Sequence, residues 1–485
     1  MINYSVMNTY KKILASLMLV SCFFISCTKD FETINTDPNR IDQISPGTLL
    51  NPIIYEVASF NMDRSAAIDF DLMQVMLPFP SPTGGIHRYD LSDNIGSSTW
   101  NTYYKWIKNV KETYDAAVNA QDPNYQAIAM TLNAWIFSNL TDCFGDVPMV
   151  EAARGDEDIF HPKFDRQQDI YLKILSDLDS ANKLFNTSRT MVYGTDILFA
   201  NNVSRWKKFC NSLNLRLLLR LSERTELNVY DKIRAIVNNP TQYPVFTTNT
   251  EAAVLNLTGV TPLASPWGRP VDFPTFRAAG AFFIDSLNAL NDPRRAKFVS
   301  QARSTGAGTP TIGYKGIPSG YTGSESQFNY TPSNFVQALV TAPMIVPILP
   351  YAEVEFIKAE LEWKSNNAAA AKTAYEKGVK AAIEQWTLTM PTDYFTNVNA
   401  AYNGTLERIL LQKYYALFFV DYQQWFEYRR TGLPVLPVGA GMVNNQKMPS
   451  RFSYPLTVRT VNPHYQEAVQ AMGGDNINVK VWWDK

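Results

Sequence analysis

A mainly α protein is predicted, built as a scaffold of helical hairpins with one long loop-rich insertion. In four separate stretches the apolar residues recur every three or four positions, as a helix burying one face requires. Between the second and third of these, Asn238–Leu349 carries Pro262, Pro266, Pro270, Pro274, Pro310, Pro318, Pro332, Pro343 and Pro347, with Gly306, Gly308, Gly313, Gly316, Gly320 and Gly323 among them. Proline and glycine at that density specify loops rather than elements.

Each element can be justified in turn. Thr28–Asn51 is polar and turn-rich, and Asn35-Thr36-Asp37-Pro38-Asn39 reads as a fixed turn, because proline sets φ and the aspartate can bond backbone amides. Leu77–Asn94 is broken by Pro78, Pro80, Pro82, Gly84 and Gly85. Trp100–Ala120 is predicted helical from Tyr103, Ile107, Val110, Tyr114 and Ala117. Asp122-Pro123 breaks it, and Tyr125–Asp142 resumes with Ile128, Leu132, Ile136 and Leu140 on one face. A second pair is predicted over Asp165–Phe185 and Ser204–Arg224. A third, Tyr351–Trp363 with Ala368–Trp386, has the small-residue and aromatic spacing of a tetratricopeptide-type hairpin in Ala359, Trp363, Ala369 and Tyr375. A fourth helical block runs over Thr405–Arg430, and the insertion is expected to hold one helix at about Thr275–Leu290. Helix pairs of this kind stack because no single pair covers its own apolar face.

Composition narrows the function. Hydrophobic residues make up 46% and charged residues 18%, which allows a large core. The net charge of −1 becomes −3 without Lys11 and Lys12, which argues against nucleic acid and gives no electrostatic pull toward an anionic membrane. Those lysines precede the predominantly apolar run Ile13–Ile25, too short to span a bilayer and shaped as a secretory signal over residues 1–26. Phe24-Ile25-Ser26-Cys27 has the form of a lipobox, which makes Cys27 the lipidated first mature residue and the lipid the only membrane contact. Leu19-Val20-Ser21-Cys22 competes, and Met7 competes with Met1 as the start; cutting at Cys22 would leave Phe23-Phe24-Ile25 exposed beside the anchor.

No zinc spacing, Walker A, GxSxG or GxGxxG motif stands in a fitting context, so neither a catalytic nor a metal site is assigned and no cofactor is expected. Asp142 and Asp146 bracket Gly145 without the 12-residue calcium-loop pattern, so a turn-stabilising role is expected there instead. Cys143 and Cys210 sit in apolar helical sequence and read as buried thiols, a disulfide being the less favoured alternative. Glu353, Glu355, Glu360 and Glu362 read as a solvated or partner-facing helix face. Arg429 and Arg430 read as serving the helix C-terminus ahead of a Gly432 cap.

Several motifs in order resemble the SusD/RagB-type, SusD-like nutrient-binding lipoproteins of Bacteroidetes. They are Cys27-Thr28-Lys29-Asp30-Phe31-Glu32 with the Asn35–Asn39 turn, Thr141–Pro148, Trp206–Leu213 with Arg216 and Arg220, and Asp292-Pro293-Arg294. Further on come Glu353–Glu360, Gln412-Lys413-Tyr414, Trp425–Pro434 and Trp482-Trp483. The resemblance implies a single SusD-like domain over 27–485, a tetratricopeptide-like scaffold and no catalysis. It also implies a lipid-anchored, surface-exposed place at the outer membrane and partnership with a SusC-like TonB-dependent transporter.

Sugar rings stack their C–H faces on aromatic rings, with amides and carboxylates nearby for the hydroxyls. Trp135, Trp206, Trp363, Trp386 and Trp425 lie on predicted helices and read as core. Trp267, framed by Pro266 and Gly268, is the leading loop aromatic, with Tyr89, Tyr314, Tyr321, Phe328 and Tyr330, and Asn94 and Gln327 as polar neighbours. The leading reading is a binding lipoprotein for an oligosaccharide, or a peptide. The alternatives are a surface glycoside hydrolase, which needs two carboxylates about 5–9.5 Å apart, and a structural lid or adhesion component.

Overall fold

The computed structural model describes residues 44–484, so the predicted signal, Cys22, Cys27 and the Asn35–Asn39 turn lie outside the described residues. The elements below belong to the unit Ser45–Lys485. α1 (Leu50–Arg64) buries Leu50, Ile53, Ile54, Val57, Ala58 and Met62, and continues through a π turn at Ser65–Asp69. The first hairpin is α2 (Ser97–Asn119) and α3 (Pro123–Phe144). α2 buries one stripe: Trp100, Tyr103, Ile107, Val110 and Ala117. Asp122 caps α3, its carboxylate accepting from the Asn124 N–H at 3.0 Å while Pro123 fills a first-turn position that needs no donor. α3 is buried nearly all round because α2 packs on one side and α4 (Gln167–Leu184) on the other.

α5 (Val203–Arg220) follows, capped by Asn202, and packs on α4 and on α6 (Val229–Val237). Beyond the insertion, α9 (Tyr351–Lys364) and α10 (Ala368–Glu384) form the third hairpin, with Asn367 as the cap of α10. Gly378 lets α10 approach the Phe356 ring of α9: an added Cβ would sit 3.0 Å from it. α11 (Leu406–Ala416) packs on both helices, and α12 (Gln423–Thr431) ends at Gly432, whose φ of 70° suits a residue without Cβ.

Within the insertion, β2 (Ala253–Leu257) pairs antiparallel with β6 (Met344–Leu349), so the segment is tied shut at its base. The ribbon β1 (Met76–Pro78) with β3 (Arg277–Ala279) and the short pair β4 (Arg303–Ser304) with β5 (Tyr330–Thr331) organise the rest, together with α7 (Ala281–Leu290) and α8 (Arg294–Phe298).

Four expectations are corrected. The helix expected over Thr275–Leu290 begins at Ala281, since Arg277–Ala279 is spent on pairing with β1. Thr405–Arg430 is two helices, divided where Phe419 and Asp421 take φ values of 65° and 37°. Glu353, Glu355 and Glu360 are buried rather than solvated. Arg216 of α5 holds Glu353 with two bonds, at 2.8 and 2.5 Å. Arg430 does the same for Glu360, both at 2.7 Å, so it is an interior ion pair and not a helix-end counter-charge. Cys143 and Cys210 are buried free thiols. Trp135, Trp206, Trp386 and Trp425 are in the core, and Trp363 is half-buried with its indole N–H on the Gly404 carbonyl. Among the described residues no helix is long and apolar enough to cross a membrane.

Candidate ligand site

Ribbon β1–β3 brings the two Pro/Gly-broken segments together, with Leu77 opposite Ala278 and Pro78 opposite Arg277. Leu77, Ala278, Ile317 and Tyr321 form a small apolar cluster of their own, against which Phe79 and Phe328 pack half-buried. The Tyr321 and Phe328 rings meet edge to face at 5.0 Å; Phe79 lies 6.3 Å from Phe328 and Tyr330 lies 5.7 Å from it.

A third segment, which the sequence reading passed over, completes this face. It is the chain after Gly432: the Gly441 N–H donates to the Gly320 carbonyl at 2.8 Å, and the Val443 N–H to the Arg88 carbonyl at 2.9 Å. Gly439 lies so close to the 319–320 backbone that an added Cβ would stand 2.3 Å from the Ser319 carbonyl oxygen, so only glycine fits. The signal available in sequence was the Gly439-Ala440-Gly441 spacing, which marks close backbone approach without naming the partner.

Arg88 ties the three segments together. From a buried position it donates to the carbonyls of Gly441 (3.0 Å) and Tyr321 (2.9 Å) and to the Ser81 hydroxyl (3.1 Å). Ser81 also meets His87 Nε2 at 2.8 Å, and its backbone N–H donates to Glu325 at 3.0 Å. Burial lowers the His87 pKa to about 4, and the charges of Arg88 and Arg277 add to this, so the imidazole is neutral. The Tyr321 hydroxyl donates to Glu325 at 2.8 Å; burial, then the bond to that carboxylate, push the phenol up to about 12. That same bond and backbone N–H groups hold Glu325 below the ordinary carboxylate range. What results is a half-buried aromatic patch rimmed by an ionised carboxylate, suited to ring stacking with a hydroxyl acceptor alongside.

Of the residues picked from sequence, Tyr321, Gln327, Phe328 and Tyr330 are brought together here. Tyr321 and Tyr330 are buried, the latter donating to the Gly316 carbonyl, so they support the patch more than they face solvent. Gln327 is exposed and bonds the Thr322 and Ser324 carbonyls. Tyr89 is buried at φ 63° and offers no accessible ring, since it fills the core beneath the 86–88 turn. Tyr314 packs half-buried under Arg295, and Asn94 is exposed on the turn that leads into α2. Trp267 is half-buried, edge-on to Phe273 (5.6 Å) and Phe419 (6.2 Å), and so packs on the core instead of standing free on its loop. Asp142 is also an interior group: it accepts from Tyr171 and Trp483, each at 2.6 Å.

A recess of about 410 Å³ lies elsewhere, between α2, α3 and α4, with Ile107, Phe137 and Ile170 below Lys111 and Lys173. Its lining holds one aromatic ring, Phe137, among aliphatic and charged side chains, which suits ring stacking less well. Among the described residues no group of three or more His, Cys, Asp or Glu side chains is placed to hold a metal ion.

Residues 38–455 match the family model SusD-like_2, described as "Starch-binding associating with outer membrane". No curated protein sequence matches. Among solved structures, the fold is similar to a SusD homologue from Bacteroides fragilis, at 22% identity and TM-score 0.76, covering 91% of this chain and 100% of that one. It is similar to a chitin-binding protein at 23% identity and TM-score 0.76, covering 90% and 98%. A chitin-binding SusD homologue from Flavobacterium johnsoniae follows at 20% identity and TM-score 0.73, covering 90% and 97%.

Proposed function

Because the chain belongs to the SusD-like family of starch-binding, outer-membrane-associating proteins, we propose that it is a non-catalytic glycan-binding lipoprotein. It holds an oligosaccharide at the cell surface and passes it to a SusC-like TonB-dependent transporter. Cys27 carries the lipid in this reading, and the protein reaches the membrane by that anchor alone. The observation that carries the proposal is the convergence of three loops on the Phe79–Phe328–Tyr321 patch beside Glu325. A carboxylate and amides beside aromatic faces is the side-chain set that neutral sugars require. Two of the similar structures are chitin-binding proteins, which supports the same ligand class.

The experiment is calorimetry of the purified protein against chito-, malto- and cello-hexaoses, with reducing ends followed in parallel. Saturable binding to one of them, without release of reducing ends above a heat-treated control, is expected. Release would favour the glycoside hydrolase, and binding to none would remove the glycan reading.

A further inference from the structure

Beside the aromatic patch stands a residue whose exposure and backbone the fold does not account for. Phe276, next to the start of β3, is 77% exposed and has φ 56°. That left-handed conformation is uncommon for any residue with a Cβ and rarer for a bulky one. Its backbone is held from both sides. The Phe276 carbonyl accepts the Phe79 N–H at 2.9 Å, and Arg277 is fixed by Asp71 at 2.7 Å and the Met76 carbonyl at 2.9 Å. Two residues earlier, the Pro274 carbonyl accepts from Asn334 Nδ2 at 2.7 Å, and Phe273 is sunk among Trp267, Phe335 and Phe419.

A glycine would serve this turn without steric conflict, and a polar side chain would suit the solvent. Instead a benzyl group is carried into water on a stiff stalk. Strain kept by an over-determined backbone, together with an exposed apolar group, points to a contact surface. Continuing the β1–β3 register by one residue sets Phe276 opposite Phe79, whose ring leads on to Phe328 and Tyr321.

We propose that Phe276 is the outermost ring-stacking residue of the ligand site and takes the C–H face of one neutral pyranose unit of an oligosaccharide. The proposal rests on the glycan-binding reading above. Phenylalanine has no polar edge, so this position contributes face contact while Glu325 and its neighbours meet the hydroxyls.

The test compares wild type, Phe276→Gly and Phe276→Trp by calorimetry against chitohexaose, cellohexaose and maltohexaose, with melting curves. Expected is a loss of about tenfold or more in Phe276→Gly for whichever hexaose binds wild type, as for removal of a single stacking platform, and retention in Phe276→Trp. The glycine variant is expected to melt no lower than wild type, since it relieves the left-handed strain. Unchanged affinity in Phe276→Gly would overturn this inference and leave glycan binding standing. A clearly lower melting temperature would also overturn it, by showing that the ring serves the fold. Binding of no hexaose by wild type would overturn the glycan reading, and this inference with it.

Discussion

At Glu427, three buried cations converge on one carboxylate: Lys413 at 2.7 Å, Arg430 at 2.9 Å and Arg220 at 3.1 Å. Burial opposes its charge, but Arg430, Lys413 and Arg220 outweigh that and hold it well below the ordinary value of 4.5. A depressed carboxylate contributes stability that is complete above the unfolded pKa and is lost as pH falls through the folded one. Replacing Glu427 with glutamine should therefore destabilise the protein by about 3–5 kcal/mol near neutral pH, because it strands the cations in the core. Urea unfolding would measure it, and a change under about 1 kcal/mol would mean the cations re-pair elsewhere. None of this was legible locally. Glu353 and Glu360 look like a solvated helix face because Arg216 and Arg430, which neutralise them, lie far away in sequence. The packing of Trp267 was hidden for the same reason: its prolines are visible beside it, while Phe419, against which it packs, is not.

The helical hairpins were legible because their periodicity is local: Asp122-Pro123 and Asn367 mark their starts, and the observed ends lie within a few residues of those predicted. The division between α11 and α12 was hidden, since Leu417-Phe418-Phe419-Val420 stays apolar through a turn that Asp421 holds by accepting the Tyr422 N–H at 2.6 Å. Of the candidate ligand face, the two proline-rich segments could be read, but not their junction, which depends on Arg88 and on the glycines after Gly432. That junction should report on pH through His87. Its folded pKa of about 4 lies below the unfolded 6.5, so the unfolded chain takes up the proton first and wild type loses stability as pH falls through this window. Asp71, raised by burial to about 6 against the pull of Arg277, works in the opposite sense over much of the same range. Only a difference isolates the histidine. Between pH 7 and 4, wild type should lose about 2–3 kcal/mol relative to His87→Gln, at roughly 1.4 kcal/mol per pH unit. Parallel curves for the two proteins would mean that His87 is hydrated in the folded state.

Across the whole molecule, the first hairpin and the segment around Trp483 meet at one arginine. Arg429 lies between the rings of Trp425 (4.7 Å) and Trp483 (4.4 Å) and donates to the Asp142 carbonyl at 2.7 Å. Trp483 is fully buried with its indole N–H on the Asp142 carboxylate. Substituting Trp483 with alanine should cost about 3–5 kcal/mol, the range for a buried indole, and so should lower the melting temperature clearly. A loss below 1 kcal/mol would show the tail to be ornamental. The same wedge sets a clock on folding. Asp142 waits 341 residues for the most distant of its partners, and at ribosomal speeds of about 5–20 residues per second that is roughly 20–70 s. Until residue 483 arrives, the Asp142 carboxylate at the end of the first hairpin has Tyr171 and Arg220 beside it but lacks the indole that covers it. A chain made from its N-terminus therefore completes this part of its core only once residue 483 has been added, long after the helices around it are made.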